Sequence, residues 1–207
     1  MAAKLKTAIK VSLGLCYSLI CAVGLYGVIS VYNTVQYERL TELVGPEVRL
    51  DIATLAQKPP LFGDANAEFQ LIEFMDYECG PCRAEYKVIK RLHQNPRFSH
   101  SVRHHPITRI HPYAKRAAIL CESLPNQEDK QQMHESLLQG KLCKDFLDAM
   151  ETTACAKQCI DLRAGEITVE KDGLLSEKVG ISHTPTLYLI AKNRVFEVKD
   201  PHSLDLL

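Results

Sequence analysis

The sequence predicts an α/β domain interrupted by a helical insertion and preceded by one N-terminal membrane-spanning helix. Three observations carry that reading. Residues 11–31 hold no charged side chain and are mostly Val, Leu, Ile, Ala and Gly, a run long enough to cross a bilayer as one helix. Two β-rich runs, residues 69–75 and 98–105, flank a helical pattern, the arrangement of a parallel βαβ unit. About a hundred mostly helical residues then separate this unit from two further β-rich runs near the C-terminus.

At 207 residues the chain has room for an anchor and one domain with a sizeable core. Twenty-five basic residues balance 25 acidic ones, so the basic excess of a nucleic-acid binder is absent. Eight cysteines are many for this length. Cys16 and Cys21 fall in the apolar run, and the other six follow it, which suits an oxidising compartment.

The N-terminal elements come first. Lys4, Lys6 and Lys10 precede the apolar run, and no cation follows it until Arg39. The positive-inside rule then places residues 1–10 in the cytoplasm, a single-pass anchor at 11–32 in the inner membrane, and the remainder in the periplasm or an equivalent extracytoplasmic space. The run exceeds a signal-peptide core of about 7–15 residues, and no clear small-x-small cleavage site follows it, so an uncleaved anchor is expected, with a cleaved signal as the alternative. Residues 33–60 read as stalk and linker. The stalk carries Val35, Leu40, Leu43 and Val44 as apolar positions and reads first as a plain spacer, with pairing of two copies as a homodimer the alternative. Pro46, Pro59, Pro60 and Gly63 mark the approach to a domain at 61–207.

Within that domain, residues 69–75 are apolar on both alternating faces, as in a strand covered on both sides. Cys82, Tyr86, Ile89 and Leu92 give helical spacing that Pro96 ends. A helical insertion at about 108–166 shows apolar repeats at Ala114, Ala117, Ala118 and Cys121, at Met133 and Leu137, and at Leu142, Phe146 and Met150. Residues 174–179 end another helix, with Gly180 as its stop. Residues 186–190 and 194–198 flank Lys192-Asn193 as a candidate hairpin, and residues 203–207 could begin a last short helix.

Cys79-Gly80-Pro81-Cys82 stands at the predicted strand-to-helix junction. Helix geometry brings the two sulfurs within bonding reach. The first cysteine lies where unpaired N–H groups and the dipole favour a thiolate, and the thiolate is the species that attacks a disulfide. Cys79 is the candidate nucleophile and Cys82 the resolving thiol. Pro81 suits a first turn, where its missing N–H costs nothing. The competing reading is half a zinc site, completed by His104, His105 or the Cys155/Cys159 pair. The strand-then-helix setting favours redox chemistry, with no metal and no cofactor beyond the Cys79–Cys82 disulfide. Glu73, inside an apolar strand, is a candidate proton acceptor for Cys82 if buried. Thr184-Pro185 opens a strand and is a candidate cis bond facing the cysteines, with an ordinary trans proline as the alternative.

Taken together, residues 74–82 (Phe-Met-Asp-Tyr-Glu-Cys-Gly-Pro-Cys), 63–67, His111-Pro112-Tyr113-Ala114 and residues 180–186 resemble the DsbA-like thiol–disulfide oxidoreductases of the thioredoxin superfamily, over roughly residues 60–200. The resemblance implies a thioredoxin fold with a helical insertion. It implies Glu73 as the buried acid, Pro185 as the cis-proline and Thr184 as the residue beside the disulfide. One departure is the Gly-Pro between the cysteines, as in thioredoxin, where DsbA has Pro-His; a couple less oxidising than DsbA is expected. The implied partners are cysteine-containing extracytoplasmic proteins and a membrane redox partner.

Among Cys121, Cys143, Cys155 and Cys159 at least one structural disulfide is expected from compartment and count, with a buried free thiol as the alternative for Cys121 on its apolar helix face. His183 could tune Cys79, with a solvated loop histidine as the alternative. Two other functions stay open: an envelope assembly or docking factor built on the same domain, and a dedicated reductase or isomerase in protein maturation.

Overall fold

The computed structural model describes residues 2–157 and 160–207, with side chains from residue 23 onward. The backbone divides into two units, Met1–Glu42 and Leu43–Leu207. The first is helix α1 (Ala2–Leu43), which no proline interrupts. Val23, Leu25, Val28 and Val31 are exposed along it. Among the described residues no helix is long and apolar enough to cross a membrane. The greater part of the expected anchor, residues 11–22, lies outside the described side chains, as do Cys16 and Cys21.

The second unit contains β1 (Glu47–Val48), α2 (Ile52–Leu55), β2 (Phe69–Met75), α3 (Gly80–Leu92) and β3 (Phe98–His104). It continues with α4 (Ala114–Glu122), α5 (Gln127–Gln139), α6 (Lys144–Lys157), α7 (Leu162–Val179), β4 (Thr186–Ala191), β5 (Arg194–Glu197) and a 3-10 turn, Pro201–Leu206. The sheet order is β1-β5-β4-β2-β3. Strands β2 and β3 are parallel, as a strand-helix-strand unit requires, and the other pairings are antiparallel. Lys192 and Asn193, at φ 51° and 58°, make the β4–β5 hairpin turn.

Two cores explain why β2 is apolar on both faces. Ile72 and Phe74 pack with Leu55, Tyr188, Ile190 and Val195. Met75 packs on the other side with Cys82, Tyr86, Val102, Leu120 and Leu137, against α3 and the insertion. Each such fully buried side chain contributes about 2 kcal/mol of hydrophobic stabilisation. Gly165 lets α7 approach α4 closely, since a Cβ there would meet the Ile119 carbonyl at 2.5 Å. Gly180, at φ 76°, ends α7 in the left-handed conformation.

Three expectations are corrected. The supposed linker at 45–60 contributes β1 and α2, and Leu55 is wholly buried. A two-residue strand and a single helical turn are too short to leave a periodic signal. The expected structural disulfide is not formed among the described residues: Cys121, Cys143 and Cys155 are free thiols. Cys121 is committed to the core, its Sγ directed at the Lys130 carbonyl at 3.5 Å, while Cys155 is exposed on α6; Cys159 lies outside the described residues. The last short helix begins earlier than expected, at Pro201, where the Asp200 carboxylate accepts from the His202 amide at 2.9 Å. Its Pro201 and Leu204 are buried.

Candidate active site

Cys79 is the N-cap residue of α3, with Gly80 and Pro81 opening the helix. The chain turns there because the Asp76 carbonyl accepts from the Cys79 amide at 3.1 Å. The Asp76 carboxylate accepts from the Glu78 and Ile107 amides, both at 2.7 Å, and lies 2.8 Å from His111 Nδ1. Glu78 in turn accepts from the Tyr113 amide at 2.6 Å. The His111-Pro112-Tyr113 segment is thereby fastened to the cysteine loop. Arg83, one turn into α3, donates to the carbonyls of Tyr77, Leu137 and Gly140 at 2.7, 3.1 and 2.7 Å. It satisfies carbonyls at the end of α5 that the helix itself leaves open.

The two thiols are in the dithiol form, Cys79 6% exposed and Cys82 fully buried. Cys79 Sγ donates to the Thr184 carbonyl at 3.3 Å. The Thr184–Pro185 peptide bond is cis. Thr184 Oγ1 is buried with no hydrogen-bond partner around the neutral thiol, which leaves it free to donate to the thiolate. The Cys79 pKa is lowered to about 6, first by the hydrogen bond from Cys82 and, against the opposing effect of burial, also by Thr184. The same Cys79–Cys82 hydrogen bond, burial and the Glu73 charge push Cys82 far above the ordinary thiol range. One thiol is thus primed to attack, and the other must lose a proton before it can.

Glu73 sits mid-strand in β2, between Val102 of β3 and Leu187 of β4. Its side chain is 2% exposed, and Oε2 lies 2.9 Å from His100 Nε2. Cys79 and the Thr184–Pro185 loop thus meet at the start of α3, while Glu73 lies deeper in the sheet, close enough for its charge to act on Cys82. His183 points to solvent beside Ser182, 3.3 Å from its hydroxyl.

Sequence reasoning missed three groups. His100 and, beyond it, His93 continue from Glu73 in a hydrogen-bonded row. Glu85 on α3 has a buried Oε2 without a partner. Its pKa is raised to about 7, chiefly by burial and then by Glu73 and Cys79. Histidine in a β-rich run carries no special signal, although the alternation of His100, Val102 and His104 along β3 does place His100 on the Glu73 side.

The described residues that could together offer metal ligands are His104, Glu122 and Asp172, a set that includes neither active-site cysteine. Lys58 Nζ lies 2.5 Å from Glu122 and 3.2 Å from Asp172, and His104 Nε2 lies 2.9 Å from Glu122. An ammonium already sits where a cation would, so the donor set does not fit a resident metal. His104 is not available to complete a zinc site with the cysteines.

No family model matches the chain. Among curated proteins it is similar to two Na(+)/H(+) antiporters. Identity is 30% over 61% of this chain for NhaA 1 of Salinispora arenicola, and 35% over 37% for NhaA 3 of Salinispora tropica. The chain spans only about a fifth or less of those relatives' length, 21% and 12%. Among solved structures, Proteus mirabilis ScsC in a compact conformation superposes with a TM-score of 0.62 at 18% identity, covering 87% of both chains. The thiol–disulfide exchange protein alpha-DsbA2 of Wolbachia pipientis gives 0.59 at 18%, over 85% of this chain and 95% of that one. Pseudomonas aeruginosa DsbA2 gives 0.54 at 22%, over 68% and 85%. At these identities the likeness establishes architecture alone: the chain has a thioredoxin-like fold with a helical insertion, matching that of these structures.

Proposed function

We propose that this protein is a protein dithiol–disulfide oxidoreductase working through Cys79 and Cys82. The observation that carries the reading is the asymmetry of the pair. Cys79 has a lowered pKa at a helix N-terminus beside the Thr184 carbonyl, and Cys82 is protonated and buried near a carboxylate. In this reading the Cys79 thiolate attacks a substrate disulfide and forms a mixed disulfide, releasing one substrate thiolate. Cys82 then attacks Cys79 Sγ, the Cys79–Cys82 bond forms, and the second substrate thiolate leaves. Glu73 takes the Cys82 proton. The reverse sequence donates a disulfide. Thr184 and Pro185 flank the nucleophile, and the exposed backbone of their loop is where a substrate peptide would pair.

The substrates proposed are cysteine-containing extracytoplasmic proteins, with a membrane redox partner setting the direction of exchange. The uncharged run at 11–31 and the lysines before it support an inner-membrane anchor with the domain on the periplasmic side. The exposed Val23, Leu25, Val28 and Val31 fit either lipid or a second copy of α1.

The test is disulfide exchange with oxidised and reduced model substrates, comparing wild type with Cys79→Ala and Cys82→Ala. Wild-type exchange lost in Cys79→Ala, with mixed disulfides accumulating in Cys82→Ala, supports the reading. Full biological activity in a Cys79→Ala/Cys82→Ala double variant would instead identify an assembly or docking factor. Alkylation of acid-quenched cells then sets the direction: a mainly oxidised pair means a disulfide donor, a mainly reduced pair a reductase or isomerase.

A further inference from the structure

We infer that His100 and His93 form the path along which the proton of Cys82 passes from the buried Glu73 carboxyl to solvent. The inference rests on the exchange chemistry proposed above and adds how its resolving step is completed.

The need follows from burial. Cys82 is fully buried and the Glu73 side chain is 2% exposed. A carboxyl enclosed to this degree cannot hold the thiol proton in addition to the one it shares with His100, so a proton must leave the site as the Cys79–Cys82 bond closes. Glu73 Oε2 lies 2.9 Å from His100 Nε2. His100 is equally enclosed, at 2%, so it is no exit by itself. Its other ring nitrogen, Nδ1, lies 3.1 Å from His93 Nε2. His93 caps the C-terminal end of α3 and is only half-buried. Both separations are hydrogen-bond distances. A neutral imidazole holds a proton on one nitrogen and a lone pair on the other, so it can accept at one and release at the other.

The surroundings hold the row in place. Phe62 stacks on His93 with centroids 3.7 Å apart and planes at 12°, and the His93 and His100 rings are themselves stacked at 5.4 Å. The titratable groups facing the row are Tyr86 of α3 and His134 of α5, with Lys90 one turn before His93. Burial, His100 and Lys90 keep His93 neutral, its pKa lowered to about 3. His134, occupied at Nδ1 by the Tyr77 hydroxyl at 2.8 Å, lies beside the row and is not part of it.

The step balances as follows. Cys82 Sγ attacks Cys79 Sγ, the Cys79–substrate S–S bond breaks, and the electron pair leaves on the substrate sulfur. As the Cys82 proton goes to one Glu73 oxygen, the proton shared between Glu73 Oε2 and His100 moves onto His100 Nε2, His100 Nδ1–H passes to His93 Nε2, and His93 Nδ1–H goes to water. Both rings end in the opposite tautomer. Reduction of the Cys79–Cys82 bond draws a proton inward along the same row and restores the starting tautomers, so the path resets within one catalytic cycle.

The experiment uses the full-length reduced protein mixed with excess oxidised glutathione, quenched in acid and read by mass. Formation of the Cys79–glutathione mixed disulfide and its closure to the Cys79–Cys82 bond are then separate steps. Wild type that forms no mixed disulfide, or never closes it, removes the exchange reading itself. With wild type competent, His93→Gln and His100→Gln are expected to slow closure about tenfold or more while mixed-disulfide formation proceeds as in wild type. His93→Ala is expected to slow closure similarly and to recover with added imidazole, which a purely structural loss would not show. Should buried His100→Gln fail to fold, the rim variants His93→Gln and His93→Ala still decide the matter. Wild-type closure rates in His93→Gln, or a slow His93→Ala that imidazole leaves slow, overturn the proposal. Slow closure in Glu85→Gln alone would assign the exit to Glu85 instead.

Discussion

At Cys79 several groups favour the ionised sulfur over the thiol: the Cys82 S–H, the Thr184 side chain and the open N–H groups of α3. The sign is that of a lowered pKa, so the thiolate persists above about pH 6 and is lost as pH falls through that value. Alkylation by iodoacetamide is therefore expected to rise with a midpoint near pH 6. In Cys82→Ala that midpoint should move up toward the ordinary thiol value of about 8.5, and an unchanged midpoint would remove Cys82 as its cause. The nucleophile pKa falls between the values of about 3.5 for DsbA and about 7 for thioredoxin, nearer the second. Together with the Gly-Pro spacer, this predicts a reduction potential between about −120 and about −270 mV, on the thioredoxin side. Equilibration with glutathione buffers measures it, and a value at the DsbA end would refute the argument.

Between elements, buried charge ties the insertion to the sheet. Lys58 bridges Glu122 of α4 and Asp172 of α7, while Arg103 and the His104 amide of β3 also engage Asp172, at 3.2 and 3.1 Å. Burial alone would raise the Glu122 pKa, but the His104 hydrogen bond and the Lys58 and Lys130 charges together hold it far below the carboxylate range. Its contribution is thus fully present above the unfolded carboxyl pKa of about 4.3 and fades as pH falls below that toward the folded value. Glu122→Gln is expected to cost about 3 kcal/mol at pH 7, since it leaves Lys58 with one partner fewer in a buried site. Urea unfolding at pH 7 and pH 3 checks both the size and the narrowing of the difference in acid. Arg83→Ala removes three hydrogen bonds from α3 to the cysteine loop and α5. A loss of about 2 kcal/mol is expected, with amide exchange at the end of α5 faster than elsewhere.

For the whole molecule, the division at Leu43 separates a helix from a unit that contains every group of the candidate site. A fragment spanning residues 43–207 is expected to keep wild-type exchange rates with soluble substrates and to lose sedimentation with membranes. A fragment that still sediments with membranes would contradict the proposed anchor.

Much of the fold and part of the site were legible in the chain. Strands β2 to β5 and helix α3 announce themselves through residue period, and Cys79-Gly80-Pro81-Cys82 through its place between strand and helix. These are local patterns, and local geometry is what a linear sequence records directly. The enclosure of Glu73 was readable only as a possibility, because exposure depends on which strands flank it. What the tertiary structure alone decided is the company of that carboxylate. Its neighbours are His100, 27 positions away, and through it His93, while Thr184 meets Cys79 across 105 positions. Sheet register and the packing of α3 on β2 and β3 create these contacts, and such contacts leave no period in the residues that make them. At Cys121 the sequence left two readings, a bridge from cysteine count and a buried thiol from the apolar face of its helix, and the packing of α4 into the core favours the second.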